Sequence, residues 1–300
     1  MHSSELRHKL SGVIAFPITP FKDDLSLDLP GMHNNLTRLM DHPISAVVAA
    51  GGTGELYSLS PAEYGRVVEL TVLAVESRVP VIAGVGFGQR LGVEMAQAAE
   101  KAGADGLLVF PPYYPNADDE GLLEYYLAVG AATTLGMIVY SRDWANFTPQ
   151  LVERLTGIQT LVAWKDGQGD IRRLQTIMNH VGDRLHWIGG AGDDMVAAYY
   201  STGIRTFSSS IAPIAPRLSL KLHELGSTNR QDELVALLER CVIPLYAIRA
   251  RRRGYEVSTM KVLMDLVGLS GGPVRPPLVN VRLEEQDELR AILEQWERFL

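Results

Sequence analysis

The stretch TLVAWKDGQGD, residues 160–170, combines a short apolar run with an abrupt polar end. Residues 161–164 are apolar, Lys165 and Asp166 follow directly, and two glycines come next. A short apolar run bounded by glycines is typical of a strand that is buried on both faces. We therefore predict a strand that ends at Lys165. The chain has only six lysines, so the position of this one needs an explanation.

Seven further apolar runs of this kind occur along the chain. With TLVAW (160–164), they are GVIAF (12–16), SAVVAA (45–50), PVIAGV (80–85), DGLLVF (105–110), GMIVY (136–140), LHWIG (185–189) and GIRTF (203–207). Longer amphipathic segments separate them, such as PAEYGRVVELTVLAVES (61–77). Eight buried strands with helical crossovers predict a closed (β/α)8 barrel, and a doubly wound open sheet is the alternative.

The strand pattern stops after residue 210. Helices are predicted over four later segments, 212–225, 230–252, 256–267 and 283–299. We therefore predict a catalytic barrel over residues 1–210 and a helical C-terminal extension, packed on the barrel, over residues 211–300.

Composition narrows the class of protein further. The 300 residues carry a net charge of −7, which argues against a general nucleic-acid surface. No apolar stretch approaches the ~18 residues of a membrane span. The single cysteine, Cys241, excludes an internal disulfide and a cysteine metal cluster, and with no signal-peptide pattern it predicts a cytoplasmic protein. The basic run RARRR (249–253) is interpreted as a solvated helix end rather than a polyanion site.

Polar residues follow most of the predicted strands. In a (β/α)8 barrel, the carboxyl ends of the strands form the active-site face. The groups expected there are GGTGE (51–55), PPYYP (111–115), Tyr140 with Ser141 and Arg142, Lys165, GGAGDD (189–194) and SSS (208–210). We therefore expect one lysine, tyrosines, hydroxyls and backbone amides to converge on one mouth.

Lys165 is the candidate nucleophile. Burial disfavours the ammonium form, so it lowers the pKa of a lysine and exposes an amine that can form a Schiff base with a carbonyl. The alternatives are a lysine that reaches out from the strand end, or one paired with Asp166. Tyr140, one strand away, is either a proton relay or a core aromatic with a bonded hydroxyl.

The glycine-rich turns have two interpretations each. Gly52, Thr53 and Gly54 offer amides and a hydroxyl to a carboxylate, or they form a tight turn before a helix that Glu55 opens. Asp193 and Asp194 are expected to cap the following helix rather than bind a metal. GVGFG (84–88) lacks the full dinucleotide spacing, and no H-x-x-x-H pair occurs, so neither a nucleotide nor a metal site is expected.

Taken in order, these motifs resemble the family of dihydrodipicolinate synthase and N-acetylneuraminate lyase, the class I Schiff-base lyases. The resemblance covers nearly the whole chain and rests on FPITPF (16–21), GGTGE (51–55), PVIAGVG (80–86), AGADGLLVFPPYY (102–114), IVY (138–140), WKD (164–166) and GGAGDD (189–194). It implies the barrel, a Schiff base on Lys165, a proton relay through Tyr140 and a carboxylate-binding hydroxyl on Thr53. It also implies a homotetramer, a dimer of dimers, in which Tyr114 lies near the site of a neighbouring subunit.

Within that family, further motifs are similar to the 5-dehydro-4-deoxyglucarate dehydratases. They are GGTGE, Arg142–Asp143, KDGQGDI (165–171), FSSS (207–210), RRRGY (251–255) and GPVRPPL (272–278). The resemblance implies a keto-deoxy aldarate substrate, loss of water and carbon dioxide, and no cofactor. Thr53 with its neighbouring amides is then expected to hold the near carboxylate and Arg142 the far one. Gly190 is a further binding candidate, and Ser208, Ser209 and Ser210 bind the substrate or are solvated turn residues.

Three alternative functions stay open at this point. An aldolase for 2-keto-3-deoxy sugar acids, or a dihydrodipicolinate synthase, would use the same lysine iminium. A family member without catalysis would bind a keto acid as a regulator, although Lys165 and Tyr140 are both present. A metal-dependent barrel lyase is the third alternative.

Overall fold

The computed structural model describes residues 1–300 and contains eight parallel strands closed into a barrel. Each strand pairs with the next in chain order, and the last pairs with the first. The strands are β1 (Gly12–Ala15), β2 (Ala46–Ala49), β3 (Val81–Phe87), β4 (Gly106–Pro112), β5 (Gly136–Ser141), β6 (Leu161–Asp166), β7 (His186–Gly189) and β8 (Thr206–Ser209). The predicted (β/α)8 barrel is confirmed, and the open sheet is wrong.

Thirteen α-helices accompany the strands. They are α1 (Ser3–Lys9), α2 (Leu29–Leu39), α3 (Pro61–Val75), α4 (Gln89–Lys101), α5 (Asp119–Ala131), α6 (Pro149–Leu155), α7 (Ile171–Val181), α8 (Val196–Ser201), α9 (Pro216–Ser227), α10 (Gln231–Cys241), α11 (Ile243–Arg249), α12 (Tyr255–Leu266) and α13 (Leu283–Trp296). Short 3-10 helices occur at Leu56–Ser58, Gly182–Arg184, Asp193–Met195 and Glu297–Phe299. No helix combines the length and the apolar character that crossing a membrane requires.

The strand residues divide between two apolar cores. Alternate residues point inward, where Ile138 and Ala163 belong to a small cluster that fills the barrel. The intervening residues, Trp164 among them, join a larger cluster between the strands and the helices. Tyr140 and Lys165 each follow an inward residue by two positions, so both side chains turn into the mouth of the barrel.

The opposite end of the barrel is closed. Leu6 and Leu10, on and just after α1, are fully buried within the inner cluster. Helix α1 packs against β5 and β6. The polar groups that follow the strands therefore gather at the carboxyl end, where the helices after β8 also approach.

The helices after β8 form the predicted helical extension. One boundary is wrong, because residues 230–252 form two helices and not one: α10 ends at Cys241 and α11 begins at Ile243. Pro244 has no N–H to donate to the preceding turn, so the helix cannot continue through it. Helix α9 packs against β1. The division of the chain at residue 210 stays a prediction.

Candidate active site

A cavity of about 190 Å³ opens at the carboxyl ends of the strands. Loops after five strands and the helices α11 and α12 contribute to its wall. Eight candidate catalytic or binding residues from the sequence line it: Gly52, Thr53, Tyr140, Arg142, Lys165, Gly190, Ser208 and Ser210. The barrel thus brings together residues that are far apart in the chain.

Lys165 is buried, with 2% of its surface exposed, and its Nζ donates a hydrogen bond of 2.9 Å to the carbonyl oxygen of Gly190. It forms no salt bridge. Burial lowers the pKa of Lys165 well below the usual range of a lysine, and the nearby charge of Arg142 lowers it further, while Asp166 acts in the opposite direction. The alternative that Lys165 reaches out from the strand end to solvent is therefore wrong. Burial and the nearby arginine thus favour the neutral amine, which is the nucleophilic form of a lysine.

The Asp166 carboxylate forms hydrogen bonds with groups other than Lys165. Its carboxylate accepts hydrogen bonds from the backbone N–H of Gly169 at 3.0 Å and from the hydroxyl of Tyr199 at 2.7 Å. These bonds hold the turn that follows β6, so the glycine-rich segment KDGQGD shapes the end of the strand. An ion pair between Lys165 and Asp166 is therefore wrong.

Tyr140 lies beside Lys165 because of the strand register. The two residues are Cα partners on β5 and β6, and the Lys165 Nζ lies 3.5 Å from the centre of the Tyr140 ring. The Tyr140 hydroxyl is 3.5 Å from the carbonyl oxygen of Gly190, a long hydrogen bond. Burial raises the pKa of Tyr140 above its ordinary value. The phenol therefore carries its proton next to the amine, and it is placed to pass that proton to and from a bound molecule.

Gly190 is a position that only glycine can occupy. A Cβ on this residue would lie 2.6 Å from the backbone carbonyl oxygen of Asp166 and 2.4 Å from the Lys165 Nζ, closer than atoms in contact can approach. The missing side chain also leaves the Gly190 carbonyl open to both Lys165 and Tyr140. Any larger residue here would displace the candidate nucleophile.

In the GGTGE loop, Gly52 and Thr53 line the cavity, whereas Gly54 and Glu55 do not. Thr53 lines the cavity and donates a hydrogen bond of 2.8 Å to the carbonyl of Phe16. Gly54 faces away, and its carbonyl accepts a bond of 2.7 Å from Thr19. Gly54 is therefore a structural residue in this arrangement, unlike the prediction that it contacts substrate.

Glu55 directly precedes the 3-10 helix Leu56–Ser58, as the tight-turn interpretation expected, but its side chain does not cap that helix. Its carboxylate is completely buried, lies 2.6 Å from the Lys261 Nζ on α12, and accepts a hydrogen bond from the backbone N–H of Arg275. Burial lowers the pKa of Lys261, and Glu55 opposes that shift. The loop that carries Thr53 is thus tied to the C-terminal helices by a buried ion pair.

Two guanidinium groups line the cavity. Arg142 forms a salt bridge of 2.7 Å with its neighbour Asp143. Arg249, at the end of α11, donates a hydrogen bond of 3.0 Å to the hydroxyl of Ser210 and lies 4.3 Å from the centre of the Tyr246 ring. The sequence placed Arg249 in a solvated helix end. The next three residues after Ala250 are exposed arginines, but Arg249 shares a helix face with Tyr246, three positions earlier, and turns inward.

The serines after β8 point in alternate directions. Ser208 and Ser210 line the cavity, whereas Ser209 is completely buried on the other face. The Ser209 hydroxyl donates to the carboxylate of Asp193 and lies 2.8 Å from the hydroxyl of Ser219. The expectation that Ser209 binds substrate is wrong, because strand alternation directs it into the protein.

Asp193 does not cap a helix. Its carboxylate accepts hydrogen bonds from Ser209, from the backbone N–H and hydroxyl of Ser210, and from the Tyr246 hydroxyl at 3.2 Å. The 3-10 helix that begins at Asp193 has no side-chain cap. Burial raises the pKa of Asp193, and these donors together with the charge of Arg249 oppose the shift. Asp193 thus connects β8 to α11 at the cavity wall, which the sequence did not indicate.

Tyr114 lies outside the cavity, with 75% of its surface exposed, and Tyr113 beside it is 84% exposed. The contribution of Tyr114 to the site of a neighbouring subunit stays a prediction.

Comparisons with known proteins agree with this geometry. The sequence profile of the dihydrodipicolinate synthetase family matches residues 9–296. A protein of Methylobacterium radiotolerans described as a probable 5-dehydro-4-deoxyglucarate dehydratase is 43% identical over 290 residues, which cover 94% of each chain. A protein of Bradyrhizobium diazoefficiens with the same description is 39% identical and covers 94% of this chain and 91% of its own.

The solved structures that resemble this chain share its whole fold. Dihydrodipicolinate synthase from Oceanobacillus iheyensis is 27% identical, with a TM-score of 0.93 over 99% of both chains. The enzyme from Bacillus clausii is 26% identical, with a TM-score of 0.92 over 97% of this chain and 99% of that one. The predicted resemblance is confirmed, and the chain belongs to the dihydrodipicolinate synthetase family.

Proposed function

We propose that this protein is a decarboxylating hydro-lyase that converts 5-dehydro-4-deoxy-D-glucarate into 2,5-dioxopentanoate, water and carbon dioxide. The observation that carries the proposal is the buried, depressed-pKa Lys165 beside Tyr140 in a cavity that also holds two guanidinium groups. The names of the relatives that are 39–43% identical over nearly the whole chain support the choice of reaction.

The first step forms the Schiff base. With the substrate numbered from the carboxylate beside its ketone, the neutral amine of Lys165 attacks C2, and loss of water gives an iminium. Tyr140 supplies a proton to the departing oxygen from its position beside the amine. The carbonyl of Gly190 accepts a hydrogen bond from the amine and so orients it for attack.

The iminium then acts as the electron sink for both eliminations. Removal of a proton from C3 gives an enamine, which expels the C4 hydroxyl as water and leaves a C3–C4 double bond conjugated to the iminium. The electrons of the C5–C6 bond move toward nitrogen as carbon dioxide leaves, which gives a dienamine with an enol at C5. Protons return to C3 and C4, the enol becomes an aldehyde, and water releases the amine of Lys165.

The substrate is a dianion, so the cavity must hold two carboxylates. We assign the carboxylate at C1, next to the reacting ketone, to Thr53 and the amides near Gly52, which line the cavity. The Thr53 hydroxyl would exchange its bond to the Phe16 carbonyl for one to this carboxylate. We assign a substrate hydroxyl to Ser208, and Arg142 adds positive charge near Lys165. None of these steps calls for a cofactor.

We also propose a cytoplasmic homotetramer, a dimer of dimers. The exposed Tyr113 and Tyr114 support a contact between subunits on this side of the barrel. Light scattering of the protein and of Tyr114→Ala measures the assembly. A monomer in both samples would contradict it.

The experiment that tests the reaction combines trapping with product analysis. The protein is incubated with 5-dehydro-4-deoxyglucarate, part of the sample is reduced with borohydride, and carbon dioxide and free pyruvate are measured in the rest. An adduct at Lys165 together with stoichiometric carbon dioxide supports the dehydratase. Pyruvate without carbon dioxide would assign an aldolase, and binding without any product would assign a keto-acid-binding protein. An EDTA-treated sample provides the control for a metal-dependent reaction.

A further inference from the structure

The two arginines of the cavity differ in how their charges are balanced. Arg142 is already neutralised by Asp143 at 2.7 Å. Arg249 is half-buried, faces the cavity and forms no salt bridge, and its polar contact is the neutral hydroxyl of Ser210. A partly desolvated guanidinium gains from an anion that contacts it directly. The cavity therefore contains one guanidinium that no carboxylate contacts directly, although its charge acts on Asp193 and Asp194.

The two arginines also lie at different ends of the site. Arg142 and the Lys165 Nζ both lie against the Tyr140 ring, at 5.3 Å and 3.5 Å from its centre, so Arg142 lies near the reacting ketone. Arg249 instead bonds to the Ser210 hydroxyl, which donates to Asp193 in the loop after β7. A substrate anchored at Lys165 through its second carbon would extend away from Arg142.

The carboxylates around Arg249 leave it available to a ligand. Asp193 is saturated by donors from Ser209, Ser210 and Tyr246. Glu256, the other acidic residue of the wall, is exposed and accepts a hydrogen bond of 2.9 Å from the N–H of Gly254. Ser210 accepts from Arg249 and donates to Asp193, so it fixes the direction of the guanidinium without neutralising it.

We infer that Arg249, oriented by Ser210, binds the carboxylate of the substrate that is remote from the ketone, and so selects keto dicarboxylates over keto monocarboxylates. The inference deepens the proposed function and rests on its assignment of a keto dicarboxylate. It transfers to Arg249 the role that the sequence suggested for Arg142. A fixed remote carboxylate would also hold the C5–C6 bond in one orientation toward the conjugated iminium.

The test measures Schiff-base formation, so it does not require turnover. The probes are 2-oxoadipate, which has a carboxylate at C6, and 2-oxohexanoate, which ends in a methyl group. For each, the concentration that gives half-maximal borohydride-trapped adduct is measured by intact mass. The unmodified protein is expected to prefer 2-oxoadipate by roughly 10- to 100-fold, the value of one charge-assisted hydrogen-bonded contact.

Arg249→Gln is expected to abolish most of that preference, and Arg249→Lys to keep part of it, because it retains the charge but not the planar fork. Arg253→Gln, an exposed arginine of the same run, is the matched control and should keep the full preference. If Arg249→Gln does not fold, Arg249→Lys carries the measurement. An undiminished preference in the Arg249 variants, or no preference in the unmodified protein, overturns the inference.

The outcome is separable from that of the proposed function. Carbon dioxide release from 5-dehydro-4-deoxyglucarate by the unmodified protein reports on the reaction, whereas the ratio of the two trapping constants reports on Arg249. A retained ratio with no carbon dioxide would leave Arg249 as a dicarboxylate-binding residue of a different Schiff-base enzyme.

Discussion

The side chains of Lys165 and Tyr140 share one acceptor, the carbonyl oxygen of Gly190, at 2.9 Å from the amine and 3.5 Å from the phenol. The two donors come from adjacent strands whose register places them side by side, and the acceptor comes from the end of a third. Because a single carbonyl orients both groups, the amine and the proton carrier keep a constant relation to a molecule bound between them.

Replacing Tyr140 with phenylalanine removes the proton carrier and keeps the ring that packs against Lys165. We expect kcat for carbon dioxide release to fall by roughly 10²- to 10⁴-fold, the usual contribution of one acid–base group. The adduct with pyruvate should still form at Lys165, only more slowly. Samples reduced with borohydride at successive times measure the rate of adduct formation. An unchanged kcat for carbon dioxide release would exclude the relay.

Replacing Lys165 with methionine should abolish the adduct and all product formation, since no other amine lines the cavity. Peptide mapping after borohydride reduction locates any residual label. Lys261→Met does not serve as a control, because that lysine is buried in an ion pair. Lys221→Met is suitable, since Lys221 pairs with Glu224 on the surface of α9. An adduct that persists in Lys165→Met would contradict the mechanism.

The depressed pKa of Lys165 also predicts a dependence of stability on pH. An unfolded lysine titrates at ~10.4, so between the lower folded pKa and this value the unfolded chain binds more protons. The contribution of Lys165 to stability therefore rises with pH in that window and is unfavourable at pH 7. We expect Lys165→Met to unfold at a higher temperature than the unmodified protein at pH 7.

The difference between the two proteins should shrink as the pH approaches ~10.4, where an unfolded lysine also loses its proton. Thermal unfolding at several pH values from 7 to 10, with both proteins compared at each pH, measures this trend. A difference that stays constant from pH 7 to 10 would instead show that the folded lysine keeps its proton over this range.

For the buried pair of Glu55 and Lys261, removing one partner is expected to destabilise the protein much more than removing both charges. Lys261→Met leaves the Glu55 carboxylate buried without its partner, which should lower the free energy of unfolding by about 3–5 kcal/mol. The double variant Glu55→Gln, Lys261→Met should recover much of this loss, because no charge is then left unpaired. Denaturant unfolding measures both values.

The control for this pair is Lys9→Met, which removes an exposed lysine paired with Glu5 and should change stability by less than about 1 kcal/mol. Equal losses in Lys261→Met and in the double variant would show that lost packing, and not an unpaired charge, accounts for the effect.

Replacing Ser209, which ends β8, and replacing Ser210, which follows it, are expected to give two different phenotypes. Ser209→Ala removes a donor from the buried carboxylate of Asp193, so we expect a loss of about 1–3 kcal/mol in the free energy of unfolding. Ser210→Ala removes the hydroxyl that orients Arg249 and should instead raise KM for the dicarboxylate. Unfolding curves and steady-state kinetics on both variants distinguish these results, and a raised KM confined to Ser209→Ala would reverse our assignment.

Much of the site follows from local pattern. Lys165 and Tyr140 each end an apolar run, and the carboxyl ends of parallel strands meet at one face, so their convergence could be predicted from the chain alone. The glycines at 52 and 190 could be placed for the same reason. Arg249 and Asp193 could not, because a basic run or a pair of aspartates carries no signal of which member turns inward.

By itself, the sequence determined the closed barrel, its helical extension and the position of the candidate nucleophile, because strand length, alternation and strand ends are local properties of the chain. Tertiary structure alone decided which hydroxyls and charges face the cavity. Ser209 ends β8 and Ser210 follows it, yet only Ser210 faces the cavity, and Arg249 reaches the cavity only because α11 packs at the barrel mouth. Side-chain direction and the balance of charge depend on partners far along the chain, which pack together only in the folded protein.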